Sequence, residues 1–93
     1  MTADSGADDR RMTLDLVALY DITRDYAVEL EYELTNLEDA ATDDETRNRY
    51  NERRREVRVE RRNLPLGMDI AARREMIAAQ DCWRAEIEAL RAR

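Results

Sequence analysis

The sequence contains no histidine and a single cysteine, Cys82. Histidine is the commonest metal ligand and the usual proton carrier at neutral pH, so its absence argues against zinc binding and against Ser-His or Cys-His catalysis. Glycine occurs only at positions 6 and 67, which leaves no glycine-rich loop that could bind phosphate. We therefore expect no catalytic residues, no metal and no cofactor. Cys82 lies at the edge of an apolar stripe without basic neighbours to activate its thiol, so we expect it to be a small buried apolar residue.

The sequence also has no apolar run near the roughly 20 residues that cross a bilayer. Its first residues are acidic where a secretion signal is basic and then apolar, so we expect a cytoplasmic protein without membrane contact. Because residues 1–11 are small, polar and acidic, we predict a disordered arm there, followed by a single domain over residues 12–93.

Proline occurs once, and 43% of the residues are hydrophobic while 41% are charged. This composition is typical of packed helices with charged outer faces. A chain of this length buries only roughly 60–65% of the surface that its unfolded form exposes, so a partner chain would add stability. We predict an all-α fold: a three-helix domain built on an antiparallel helical hairpin, which dimerises into a larger helical bundle.

The first helix, predicted over residues 13–41, has the clearest pattern. Its apolar or small residues recur at alternating gaps of four and three, the heptad alternation of coiled coils. This seam consists of Leu16, Tyr20, Thr23, Ala27, Leu30, Leu34, Leu37 and Ala41. Leu19, Ile22 and Tyr26 widen the apolar arc beyond what one neighbouring helix can cover, so we expect this helix to touch at least two others.

The second and third helices are predicted over residues 43–63 and 69–92. Thr42, followed by Glu45 three residues later, favours a cap at the start of the second helix. Pro65 and Gly67 end that helix, and Asp69 is suited to cap the third. The apolar stripe of the third helix consists of Ala72, Met76, Ala79, Trp83, Ile87 and Leu90.

Charge is divided unevenly along the chain. Residues 1–46 contain three arginines and fourteen acids, whereas residues 47–62 contain eight arginines and three glutamates. If the first two helices fold back on each other at Thr42, positions whose numbers add to 84 face each other, which brings Leu34 to Tyr50 and Ala27 to Val57. The same register places Glu31 near Arg53 and Arg54. We therefore expect the arginine-rich helix to be paired largely within the chain.

Two surfaces are candidates for binding. The candidate oligomer or partner face consists of Leu19, Ile22, Tyr26, Met76, Trp83, Ile87 and Leu90, and the candidate basic strip consists of Arg49, Arg55, Arg58 and Arg62. The leading interpretation is a non-catalytic helical protein–protein interaction module, such as an adaptor, assembly factor or inhibitor, that forms a homodimer. One alternative is nucleic-acid binding through the arginine-rich helix. Another is an acidic mimic that occupies a basic groove of another protein.

Overall fold

The computed structural model describes residues 9–67 and 69–93, and within them it contains three α-helices and no strand. We number the helices α1 (Leu16–Ala40), α2 (Asp44–Arg62) and α3 (Ile70–Arg91). A 3-10 turn, Arg10–Thr13, precedes α1. The predicted all-α, three-helix fold is confirmed, and each helix begins and ends within three residues of its predicted limits. The first eight residues of the predicted arm lie outside the described residues.

Each α-helix begins with an aspartate cap. The carboxylate accepts a hydrogen bond from the backbone N–H three residues later, which satisfies one of the free amides of the first turn and places negative charge at the positive end of the helix dipole. The pairs are Asp15 with Ala18 (2.8 Å), Asp43 with Thr46 (2.8 Å) and Asp69 with Ala72 (2.9 Å).

The predicted cap at Asp69 is thus found, whereas the predicted cap at Thr42 is wrong. The next residue, Asp43, caps α2 because its carboxylate reaches the Thr46 amide and carries the charge that Thr42 lacks. This hydrogen bond from the backbone of Thr46 holds the pKa of the Asp43 carboxyl below its ordinary value.

The central helix of the fold is α1. It packs against both α2 and α3, as the width of its apolar arc predicts, whereas α2 and α3 meet each other mainly through side chains. The Cα atoms extend over 46 × 31 × 16 Å, so the three helices form a flattened layer with α1 between its two neighbours. The chain runs up α1, down α2 and up α3. The turn between α1 and α2 is short, and α3 runs parallel to α1 because Arg73 near its start binds the Leu14 carbonyl while Arg91 at its end binds Glu33.

The core is formed by the seam of α1 and the stripe of α3, with a smaller share from α2. In α1 the buried residues are Leu19, Thr23, Ala27, Leu30 and Leu34; in α2, Val57; and in α3, Ala72, Met76, Ile77, Gln80, Trp83 and Ile87. Tyr50, Leu64 and Leu90 are partly buried against them. Since α2 supplies one fully buried side chain, it is the least anchored of the three helices.

A polar pair inside the core joins α1 to α3. The Gln80 amide donates to the Thr23 hydroxyl at 2.8 Å, and that hydroxyl donates in turn to the Leu19 carbonyl at 2.7 Å. The Gln80 amide oxygen accepts a hydrogen bond from Arg11 at 3.1 Å. Every buried side-chain N or O atom in the described part of the chain has a partner. Because an unpaired buried polar group is costly, this pair favours one alignment of the two helices over shifted ones.

Residues 9–11 differ from the predicted disordered arm, because Arg11 fastens them to the domain. Its guanidinium binds Asp9 at the start of the 3-10 turn and Asp81 on α3, the latter at 2.9 Å. The hydrogen bond from Arg11 lowers the pKa of the Asp9 carboxyl to about 2. Composition alone places Arg11 in a polar tail, but its guanidinium lies within hydrogen-bonding distance of Asp9 and of the buried Gln80 amide.

Candidate interaction surfaces

The arginines of α2 are paired mainly with acids of the same chain. Five of the eight form ion pairs with a carboxylate, namely Arg47, Arg53, Arg54, Arg58 and Arg61. Three of them reach across to α1, where Glu31 and Glu38 accept their hydrogen bonds. Both glutamates are less than one-fifth exposed, so the α1–α2 contact is flanked by partly buried charges.

The predicted partners of Glu31, however, are wrong. Glu31 binds Arg58 at 3.4 Å and Arg61 at 3.1 Å, which lie five and eight residues beyond the predicted Arg53. Side chains on a helix lean toward its N-terminus. In an antiparallel hairpin a glutamate of α1 therefore leans away from the turn, while an arginine of α2 leans toward it. Long side chains consequently meet partners that are farther from the turn than the backbone register indicates.

Arg53 is the centre of a network that joins α2 to α3. Its guanidinium makes two hydrogen bonds to Glu86, of 2.9 and 2.8 Å, and binds Glu60 at 2.9 Å and Glu56 at 3.0 Å. The Trp83 indole N–H donates to Glu60 at 3.0 Å. The hydrogen bonds with Glu86 raise the pKa of Arg53 further above its ordinary value. Burial alone would raise the pKa of Glu60, but the hydrogen bonds from Arg53 and Trp83 outweigh it and lower that pKa.

The candidate partner face is largely occupied by the chain's own core. Leu19, Met76, Trp83 and Ile87 are each at most 3% exposed, so they cannot reach a partner in the folded monomer. This part of the prediction is wrong because apolar periodicity identifies a covered face without identifying what covers it, and here the helices of one chain cover each other. Ile22, Tyr26 and Leu90, the other members of that face, keep part of their surface exposed.

The candidate basic strip is only partly free. Arg58, a member of this strip, binds Glu31 while remaining exposed. Arg49, Arg55 and Arg62 are exposed and form no ion pair with any residue in 9–67 or 69–93. These three do not form one strip, because at 100° per residue Arg55 and Arg62 lie on the outer side of α2 and Arg49 turns toward α3.

The outer face of α1 has apolar residues that the sequence analysis missed. Val17, Val28 and Tyr32 are 71%, 43% and 64% exposed. At 100° per residue they lie on the side of the helix opposite Leu30, and the ion pair between Arg24 and Asp25 lies between them at 3.8 Å. Their signal in the sequence was their position opposite a complete seam, where an ordinary surface helix has polar residues.

A cleft opens between α2 and α3 beside the Arg53 network. It has a volume of about 260 Å³, with apolar walls from Leu34, Tyr50 and Leu90. Arg49, Arg53, Glu86 and Arg93 provide its charged groups. The cleft exists because α2 and α3 are each packed on α1 and are bridged to each other mainly by side chains.

Cys82, expected to be buried, is exposed because it lies on the outer side of α3, away from the stripe that covers α1. Among residues 9–67 and 69–93 there is no cluster of three or more His, Cys, Asp or Glu that could hold a metal ion. None of the helices in these ranges has the length and apolar character needed to span a membrane.

Comparisons with protein-family models, with curated proteins and with solved structures gave no match to this chain. Its function must therefore be inferred from the contacts and surfaces described above.

Proposed function

We propose that the chain is a non-catalytic protein–protein interaction module that forms a homodimer through the outer face of α1. One observation carries the proposal: Val17, Val28 and Tyr32 remain exposed on the side of α1 that faces away from a complete core. A helix that is packed on both flanks and apolar again on its outer side has a second surface to cover.

The proposed occupant is a second copy of α1 running antiparallel, because this face is complementary to itself. In an antiparallel pair of α1 helices in which the numbers of two facing residues add to 49, Val17 of each copy meets Tyr32 of the other. Arg24 of each copy then meets Asp25 of the other. Each contact then occurs twice, as a two-fold interface requires. Within one chain Arg24 and Asp25 pair with each other only at 3.8 Å and have exposed side chains, 48% and 76% respectively, so this loose contact can be exchanged for the intermolecular pairs.

We expect the dimer to be weak. One helix face is well below the roughly 800 Å² per partner of a standard interface. Six partly exposed apolar side chains, at about 1 kcal/mol each, contribute about 6 kcal/mol before the entropic cost of association. Without that cost the dissociation constant would be roughly 40 µM, and the cost raises it to about the millimolar range or above, with electrostatic pairs selecting the orientation.

Sedimentation equilibrium between roughly 50 µM and 3 mM, concentrations that reach the expected affinity, tests the proposal with two matched variants. Val28 and Val59 are both half-exposed helical valines, but Val59 lies in the last turn of α2. We expect Val28→Glu to abolish association, because it places Glu against Asp21 of the other copy, and Val59→Glu to leave it unchanged. A wild-type protein that remains an 11.0 kDa monomer over the whole range contradicts the proposal. So does equal association of the two variants.

Disulfide trapping tests the antiparallel register. Asp25 lies next to the proposed two-fold axis, so in a Cys82→Ser background a cysteine at position 25 should form a linked dimer under mild oxidation. A cysteine in place of Asp39, also exposed on this face but far from the axis, should not. Linking at both positions with equal yield argues for random collision.

The arginine pairs support a protein partner over nucleic acid. Arg53, Arg54 and Arg61 already bind carboxylates of the same chain, and releasing them for phosphate would leave those acids unpaired. The exposed thiol of Cys82 suits a reducing compartment, so the proposal includes a cytoplasmic location.

A further inference from the structure

The cleft between α2 and α3 combines apolar walls with cations that lack acidic partners. Arg53 and Glu86 line one part of the cleft, and their charges neutralise each other through two short hydrogen bonds. Arg49 also lines it and has only a 3.4 Å hydrogen bond to the Thr46 hydroxyl. Arg93, two residues beyond the end of α3, lies over the ring of Tyr50 at 5.7 Å from its centroid.

The charge inside the cleft is therefore positive, although the chain as a whole has a formal net charge of −6. Within the described residues neither Arg49 nor Arg93 forms an ion pair with a carboxylate. Arg49 contributes to lowering the pKa of the Asp43 carboxyl, but that carboxylate is committed to the cap of α2. An incoming anion would meet two guanidinium groups and one acid that is already neutralised.

We infer that this cleft binds a small organic anion: a phosphate or carboxylate group held by Arg49 and Arg93, attached to one aromatic ring that packs against Tyr50 and Leu90. Guanidinium groups bind such anions through two parallel hydrogen bonds. The cleft volume of about 260 Å³ lies at the small end for ligand pockets, which fits a single ring better than a nucleotide or a peptide.

This inference does not rest on self-association. Leu34 belongs to the buried seam of α1, whereas the proposed dimer face lies on the opposite side of that helix. The cleft and the dimer face can therefore be occupied together, and each can be removed by substitution without altering the other.

The experiment titrates the full chain with phenyl phosphate, with inorganic phosphate and with phenol, and follows the methyl resonances of Leu34 and Leu90 by NMR. We expect phenyl phosphate to bind with a dissociation constant of about 1 mM, as suits a ligand of this size. Inorganic phosphate lacks the ring and phenol lacks the charge, so each should bind at least about ten-fold more weakly.

Single substitutions locate the site. Arg49→Gln and Arg93→Gln should each weaken phenyl phosphate binding about five- to ten-fold, whereas Arg55→Gln, which removes an equally exposed arginine from the outer side of α2, should change it less than two-fold. All three changes are on exposed side chains, and circular dichroism verifies that the helices remain. Equal weakening by Arg49→Gln and Arg55→Gln indicates attraction by surface charge alone and overturns the inference. The same holds if inorganic phosphate binds as tightly as phenyl phosphate.

Discussion

Replacement of Leu30 by alanine is the sharpest test of the seam on which the fold depends. Leu30 is fully buried in the cluster that contains Val57, Trp83 and Ile87, so both flanking helices border the cavity that the change creates. Leucine-to-alanine changes at such positions cost about 2–5 kcal/mol, and we expect about 3–4 kcal/mol here because α2 and α3 are each held by α1 and cannot both close the gap. A chain of this length has a total stability of roughly 5–14 kcal/mol.

The variant should therefore stay folded at low temperature but melt about 12–30 °C below the wild type. Thermal and urea unfolding followed by circular dichroism at low micromolar concentration measure the change without a contribution from self-association. Leu66→Ala is the matched control, since Leu66 is 65% exposed and its truncation should cost under about 0.5 kcal/mol. The assigned seam is refuted if the two leucine variants lose similar stability, or if Leu30→Ala costs less than about 1 kcal/mol.

Three further predictions concern charge and reactivity. Glu31→Gln should cost about 1 kcal/mol in urea unfolding because it weakens two arginine contacts at a side chain only 12% exposed, whereas Glu52→Gln on the exposed side of α2 should cost almost nothing. The folded pKa of Asp9, about 2, lies below its ordinary value of 3.8, so its contribution is present above pH 3.8 and is lost as pH falls toward 2. The melting temperature should consequently fall less over this interval in Asp9→Asn than in the wild type. The thiol of Cys82 should react with a disulfide reagent in the folded protein as fast as in urea, and protection by folding would contradict its exposed position.

The helices and their ends follow from local chemistry and could be predicted. Pro65 restricts the backbone before it, Asp69 is one residue from the third helix, and the spacing of the seam identifies the buried side of α1. The sequence alone does not identify Asp43, rather than Thr42, as the cap of α2. Both residues can accept the hydrogen bond, and the geometry of the turn decides between them.

The candidate surfaces were harder to predict because they depend on tertiary contacts. The periodicity that marks Met76, Trp83 and Ile87 as apolar is the same for a core inside one chain and for an interface between two. Gln80 was missed since a glutamine within an apolar stripe has no signature of its own, and its role exists only once Thr23 lies opposite. The cleft arises from the separation of α2 and α3, which no local pattern encodes.

The uneven anchoring of α2 has a consequence for how the molecule opens. Val57 is its one fully buried residue, while charged contacts to Glu31, Glu38 and Glu86 hold its two flanks. Dissolved ions screen such contacts but leave apolar burial intact. At higher ionic strength the amides of α2 should therefore exchange with deuterium well before those of α1 and α3. One helix of the three would then open locally in response to salt while the other two stay folded.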